Sequence, residues 1–310
     1  MIESRGRKFF RFLCLALVFG VGGRLYAFQE KNDSAVVRAD SGAGTAPDSA
    51  HAIVAKDTMA SRFKEVTQAQ MDTLRTLQNG AFAANETLNF AVKYGFLSAG
   101  DAIIATSDTT MGNGREVYKV AFNVDSKPVF NWIFKVTDRY STYIDRKGLF
   151  PWRFEQHIRE GGYSRDFVAQ FDQINHEAIT TEKNYRIPPY VHDIMSAFFY
   201  SRTIDYTNFK VGQRIHLQNF FKDSTYELDV KFKGRQRVEV EAGTFDCVIV
   251  EPLAREGGLF KSDGSVYIWL TDDERKIPVK VSTKIAIGSI DSELTGYTGI
   301  KGVIKAKIEN

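Results

Sequence analysis

Cysteine is almost missing from this chain, with only Cys14 and Cys247 among 310 residues. Two such distant thiols, one of them close to the N-terminus, exclude the disulfide framework that staples small exported domains. The fold must rest on core burial, for which the length is ample. Long hydrophobic runs are missing too. The longest, from Phe12 to Val21, is too short to cross a bilayer comfortably. Histidine is sparse at five residues (His51, His157, His176, His192 and His216), and no two stand at metal-ligand spacing. His176-Glu177 lacks the second histidine of a zincin helix. Neither Ala99-Gly100-Asp101 nor Gly264-Ser265-Val266 builds the Gly-x-Ser-x-Gly turn of a serine hydrolase. Gly112-Asn113-Gly114 lies between strand-like segments and reads as a hairpin turn, not a phosphate cradle. No catalytic residue, metal site or cofactor is expected from these patterns.

What is present begins with a leader. Arg5, Arg7, Lys8 and Arg11 form a positive region, the apolar run follows, and small residues lead to a cut after Ala27. That layout predicts a secretory signal peptide over 1–27 and an exported protein of the periplasm or cell envelope. No stable membrane span is expected after cleavage. A cut near Gly23, a retained leader and lipidation at Cys14 stay open as alternatives, although no small residue directly precedes that cysteine. Removing 1–27 takes away five basic residues (Arg5, Arg7, Lys8, Arg11, Arg24) and one acid (Glu3), so formal charge moves from +3 to −1. The basicity belongs to the leader, and no electrostatic case for nucleic-acid binding survives it.

Residues 28–56 are Ser, Ala, Gly, Asp and Lys in no periodic order and read as a disordered linker. Met59, Phe63, Val66, Met71, Leu74 and Leu77 then recur at helical spacing, which predicts an amphipathic helix within 57–81. It would cap the domain or form an arm before it. From Glu86 the period switches to two, with Leu88, Phe90, Val92 and Tyr94 alternating against Thr87, Asn89, Ala91 and Lys93. The same alternation marks Tyr118–Val124 and the aromatic face Phe130, Trp132, Phe134. Further strands are expected at Trp152–Arg159, Phe167–Phe171, Ile174–Thr180, Ile215–Phe221, Tyr226–Phe232, Arg237–Glu241, Phe245–Val250, Val266–Leu270 and Val279–Ile287, with a last one within 299–308. About a dozen short strands alternating on one face give a single mainly-β domain over 82–310. It is an antiparallel curved sheet, open barrel or sandwich. One helix interrupts it, from Pro188-Pro189 to Arg202, with a wide apolar face.

These segments resemble a family of exported bacterial proteins, the domain-of-unknown-function family numbered 3108. The matching stretches are Glu86–Gly100 (ETLNFAVKYGFLSAG), Asp138–Asp145 followed by Phe150-Pro151, and Glu160-Gly161-Gly162-Tyr163. His192–Arg202 (HDIMSAFFYSR), Val240–Phe245 (VEAGTF) and Tyr267–Val281 (YIWLTDDERKIPVKV) match as well. The resemblance spans roughly residues 82–298. It implies export and a β-rich fold similar to the half-barrels of periplasmic lipoprotein carriers. It implies no assigned activity and no catalytic residues to carry over.

The remaining candidates have structural readings. Cys247 alternates onto the face of Phe245 and Ile249 and is expected to be a buried small hydrophobe. His192-Asp193 opens the internal helix, where an acid suits the positive end of the dipole; a base with its orienting partner is the functional alternative. Asp272-Asp273-Glu274-Arg275 is expected to be a solvated hairpin turn, with calcium binding as its functional counterpart. Aromatic residues are 13% of the chain; most are expected in the core, and a curved sheet with too much aromatic surface to bury against itself would instead line a hydrophobic cavity. The expected function is therefore non-catalytic: holding an apolar or lipid-like ligand in a cavity between sheet and helix, lined by Trp132, Phe134, Met195, Phe198, Phe199 and Trp269. A structural or protein-interaction role in the envelope is the second expectation, and an envelope hydrolase the third.

Overall fold

A computed structural model of the protein describes residues 67–221, 223–254, 266–285 and 288–309. The expected signal peptide, the linker and residues 57–66 of the expected first helix lie outside the described residues. Fifteen strands form one antiparallel sheet: β1 Thr87–Tyr94, β2 Leu97–Thr110, β3 Glu116–Ser126, β4 Thr137–Asp145, β5 Pro151–Glu160, β6 Tyr163–Asp172, β7 Glu177–Thr180, β8 Asn184–Arg186, β9 Arg214–Phe221, β10 Ser224–Val240, β11 Gly243–Ala254, β12 Val266–Thr271, β13 Pro278–Lys284, β14 Ser289–Thr298 and β15 Lys307–Ile308. Their spatial order is β8-β7-β6-β5-β4-β3-β2-β1-β14-β13-β12-β11-β10-β9, with β15 on β11. Along this order every neighbour but one is a sequence neighbour. The exception is the seam where β1 meets β14, with Val92 opposite Ser292. Gly299 closes it at a left-handed φ of +68°, and a Cβ there would collide with the Asn85 carbonyl, so no other residue fits.

The curved sheet does not close by hydrogen bonds between β8 and β9. A segment and a helix stand in that gap. His192 donates its N–H to the Gln218 carbonyl (2.8 Å), and its own carbonyl accepts from Phe220 N–H (2.8 Å). The backbone of this short bridge is thereby satisfied before the chain turns inward. Three helices occur among the described residues: α1 Gln68–Met71, α2 Asn131–Phe134 and α3 Ile194–Arg202. Helix α3 enters the concave side, and all its residues but Tyr200 are buried. Nine residues could not hold a helix alone in water, so burial and caps hold this one.

The core is the concave face. Leu88, Phe90 and Val92 of β1 meet Val120, Phe122 and Val124 of β3, Val248 and Val250 of β11, Ile268 and Leu270 of β12, and Met195, Phe198 and Phe199 of α3. A smaller cluster of Met71, Val117, Phe150 and Trp152 sits outside the sheet under α1. Cys247 is buried in the main core, and burial pushes its thiol up to about 12, as a small hydrophobe rather than a reactive group.

Three expectations are corrected. The run Phe130-Trp132-Phe134 is not a strand: Pro128–Phe130 form a 3-10 turn and Asn131–Phe134 a helical turn, because Pro128 presets a first-turn φ. The expected helix within 57–81 survives, in its described part, as α1 only, and the chain from Asp72 to Gly80 is non-helical. Finally, Tyr226–Phe232 and Arg237–Glu241 are one strand, β10, bent by a register shift between Phe232 and Gly234.

Candidate functional site

Helix α3 brings the chemically capable groups together. Asp193 is its N-cap, accepting N–H groups from Met195 (2.8 Å) and Ser196 (2.9 Å) and the Thr142 hydroxyl of β4 (2.7 Å). Burial raises its pKa to about 6 against those hydrogen bonds. His192 lies beside it, its Nδ1 3.2 Å from Ser196 Oγ. Burial, helped by the Arg75 cation, lowers the imidazole to about 3. The Ser196 hydroxyl donates to the Asp193 carbonyl (3.1 Å) and so is held within the first turn. The Asp193 carboxylate, meanwhile, is engaged by Thr142 and the helix N-terminus. The geometry is that of a locked helix start. Above it, the Arg75 guanidinium lies 4.4 Å over Tyr190 and 5.3 Å over Tyr200 while donating to the Gly148 and Leu149 carbonyls.

The far end of α3 is sealed as firmly. Arg202 donates to both oxygens of Glu86 (2.6 and 3.0 Å) and to the carbonyls of Lys276 and Arg275. Asp273, expected in a solvated turn, is instead buried. It accepts from Thr271 Oγ1, Arg275 N–H and Ala306 N–H, so it organises the β12–β13 turn and the C-terminal segment. Among the described residues, no group of three or more His, Cys, Asp or Glu could hold a metal ion.

The opposite end of the sheet is built differently. The β1–β2 hairpin exposes Phe96 (94%) and Leu97, and the connection between β3 and β4 exposes Val129 and Trp132 (83%). Lys127 N–H donates to the Ala99 carbonyl (2.9 Å), which holds the two connections side by side. Just inside this rim, Asp138 and Glu160 point two carboxyls into the core from adjacent strands. Asp138 accepts from Arg159 N–H (2.9 Å) and is hydrogen-bonded to Glu160, yet burial still raises it to about 6.

A raised carboxyl contributes stability that is complete below pH 4 and lost as pH climbs through 6. Asp138→Asn removes that loss. The variant should gain on the order of 2–3 kcal/mol relative to wild type between pH 4 and pH 7, read from urea unfolding at both pH values. An unchanged difference would show that Asp138 does not titrate there. His192 works in the other sense, its contribution complete above pH 6.5 and lost as pH falls toward 3.

Of the six residues expected to line a ligand cavity, three share α3, two are on α2 and one is on β12. Met195, Phe198 and Phe199 are buried on α3, with Phe199 edge-on to Phe82 at 4.8 Å between ring centroids. Trp269 is on the other face of β12 from Ile268 and Leu270, donating to Gln236 Oε1 (3.0 Å). Trp132 is at the rim, and the Phe134 side chain lies outside the described residues. Sequence reasoning missed Phe96, Leu97 and Val129. The signal was an aromatic residue directly after Gly95, at a hairpin tip where polar residues are the rule.

Fold and site together define an open, β-barrel-like protein filled by one internal helix, with one end sealed and the other rimmed by exposed apolar side chains. By sequence it belongs to the family described as a protein of unknown function, DUF3108, which it matches over residues 89–295. Among solved structures it is similar to a β-barrel-like protein of the DUF1849 family from Brucella abortus, at 8% identity and TM-score 0.45, over 70% of this chain and 98% of that one. It is also similar to a candidate lipoprotein from Parabacteroides distasonis (11% identity, 71% and 100% coverage, TM-score 0.28). A third is a candidate exported protein with a YmcC-like fold from Bacteroides fragilis (11%, 73% and 99%, 0.27). No curated protein matches the chain.

Proposed function

We propose that the protein is a non-catalytic docking protein of the bacterial cell envelope, working through the apolar rim. The carrying observation is the side-by-side exposure of Phe96, Leu97, Val129 and Trp132 at one end of a domain whose core is otherwise packed. Single exposed apolar residues are ordinary, whereas a contiguous group containing tryptophan marks an interaction surface. The leader over 1–27 supports the envelope assignment. Carriage of an apolar or lipid-like ligand between sheet and helix would need a void beside α3, and the packing of Phe82, Phe198 and Phe199 there works against it.

The test is retention on the envelope fraction of the host. Trp132→Ser combined with Phe96→Ser should lower retention severalfold, while the unfolding midpoint moves little, since both side chains are in water. Retention equal to wild type would overturn the reading. Native mass spectrometry of the same preparation addresses carriage, because an apolar molecule bound at unit stoichiometry would restore it.

A further inference from the structure

We infer that the surface on which the rim docks is an anionic phospholipid bilayer, touched by the Trp132 protrusion and the Phe96 hairpin tip together. The inference rests on the docking reading and names its partner. The protrusion leaves the sheet at Ser126 and returns at Val136, and its base is clamped. Ser126 N–H donates to the Val136 carbonyl (3.1 Å), Val136 N–H donates to Ser126 Oγ (2.9 Å), and Ser126 Oγ donates to Asn131 Oδ1 (2.6 Å). The neighbouring hairpin joins this base, because Gly161 N–H donates to the Lys135 carbonyl (2.7 Å). Between the clamps the backbone makes its hydrogen bonds locally in two short helical turns. Val129 and Trp132, three residues apart, therefore share one outward side.

The charges around this tip are of one sign. From Ser126 to Thr137 the charged residues are Lys127 and Lys135, which bracket seven uncharged residues, and the hairpin tip from Tyr94 to Ala99 has none. Asp125 is held by Arg139 at 2.8 Å, and Asp101 lies 4.0 Å from Lys127 on the side of β2, behind the tip. Two tips of exposed Trp, Phe, Leu and Val, with lysines on one of them and their acids, Asp101 and Asp125, set back on the strands, match a headgroup boundary. Indole rings settle at that depth, apolar tips enter the acyl region, and lysine stems reach back to phosphate. Protein interfaces enrich aromatics too but are depleted of lysine, so the flanking Lys127 and Lys135 favour the bilayer.

The experiment uses vesicles rich in phosphatidylglycerol and vesicles of phosphatidylcholine alone. The protein carries a polarity-sensitive fluorophore at V129C or, as a control, at V303C. Val303 is exposed in the C-terminal segment near β15, which pairs with the sealed end of the sheet. On the anionic vesicles the V129C emission should move to the blue and the V303C emission should stay. Trp132→Ser should weaken vesicle partition about tenfold. Removing the charge of Lys127 and Lys135 should weaken it about fivefold each, an effect that salt suppresses. An unmoved V129C emission, or partition indifferent to Trp132→Ser, overturns the bilayer inference. If envelope retention nevertheless falls in the Trp132→Ser, Phe96→Ser variant, docking stands and its partner is a protein. If retention is also unchanged, both readings fall.

Discussion

Glu86→Ala is expected to cost about 3–5 kcal/mol of stability, read as a lowered urea midpoint. The Arg202 guanidinium is fully buried and, among the described residues, Glu86 is its carboxylate contact; its other bonds are to the carbonyls of Arg275 and Lys276. Removing Glu86 leaves a cation in the core between the rings of Phe82 and Phe199, which lie 5.4 and 5.1 Å from it. The carbonyls, and the negative end of α3 in whose last turn Arg202 stands, offset only part of that penalty. The double variant Glu86→Leu, Arg202→Met removes both charges and should recover most of the loss. A single variant within about 1 kcal/mol of wild type would show that solvent reaches this pair.

Phe199→Ala should cost a similar amount, about 3–5 kcal/mol, because it opens a cavity where helix, N-terminal arm and sheet meet. Its ring is edge-on to Phe82 and to Phe198, and Phe82 in turn is edge-on to Tyr118 of β3. Phe82→Ala removes part of the same contact, so the double variant should fall short of the sum of the singles. The comparison with the rim is direct. Phe96 is as large, yet Phe96→Ala should stay within about 0.5 kcal/mol. Equal losses at the two positions would contradict the division of the molecule into a packed interior and an exposed end.

Most of the sheet was legible because most strands bury every second side chain. Strand β3 shows it cleanly, with Tyr118, Val120, Phe122 and Val124 inward. The strands that escaped are those whose buried face is not hydrophobic. Strand β4 turns Asp138, Tyr140, Thr142 and Ile144 inward, and β14 turns Ile290, Ser292 and Leu294. Strand β2 buries Gly100, Ala102, Ile104 and Thr106, too small or polar a set to register as alternation. In β4 the buried Thr142 is satisfied by Asp193, 51 positions away, and such a pairing leaves no local pattern. The reverse error at Trp132 has the same root. Alternation was present in Phe130, Trp132 and Phe134, but no neighbouring strand was there to use it. Helix α3 was legible from its spacing and the acid at its positive end from its residue type, but it starts at Ile194 behind the Asp193 cap and not in the Pro188-Pro189 turn. The rim was not legible, because exposure of an apolar residue is a property of its surroundings.

The seam between β1 and β14 joins residues such as Lys93 and Glu293 that are 200 positions apart. Such contacts make for a high contact order, and the entropy of closing so long a loop must be met before the pairing rewards it. A chain delivered from its N-terminus therefore holds β1 with a vacant edge until its last long strand arrives. Under the envelope role proposed above, that delay suits a chain that would cross a membrane before folding, since nothing forces the sheet to finish early. The two edges left at the end, β8 and β9, belong to the middle of the chain, where α3 lies between them. Among the described residues the edge nearest a chain end is β15, only two residues long, so late closure of the seam leaves no long strand there as a template for another molecule.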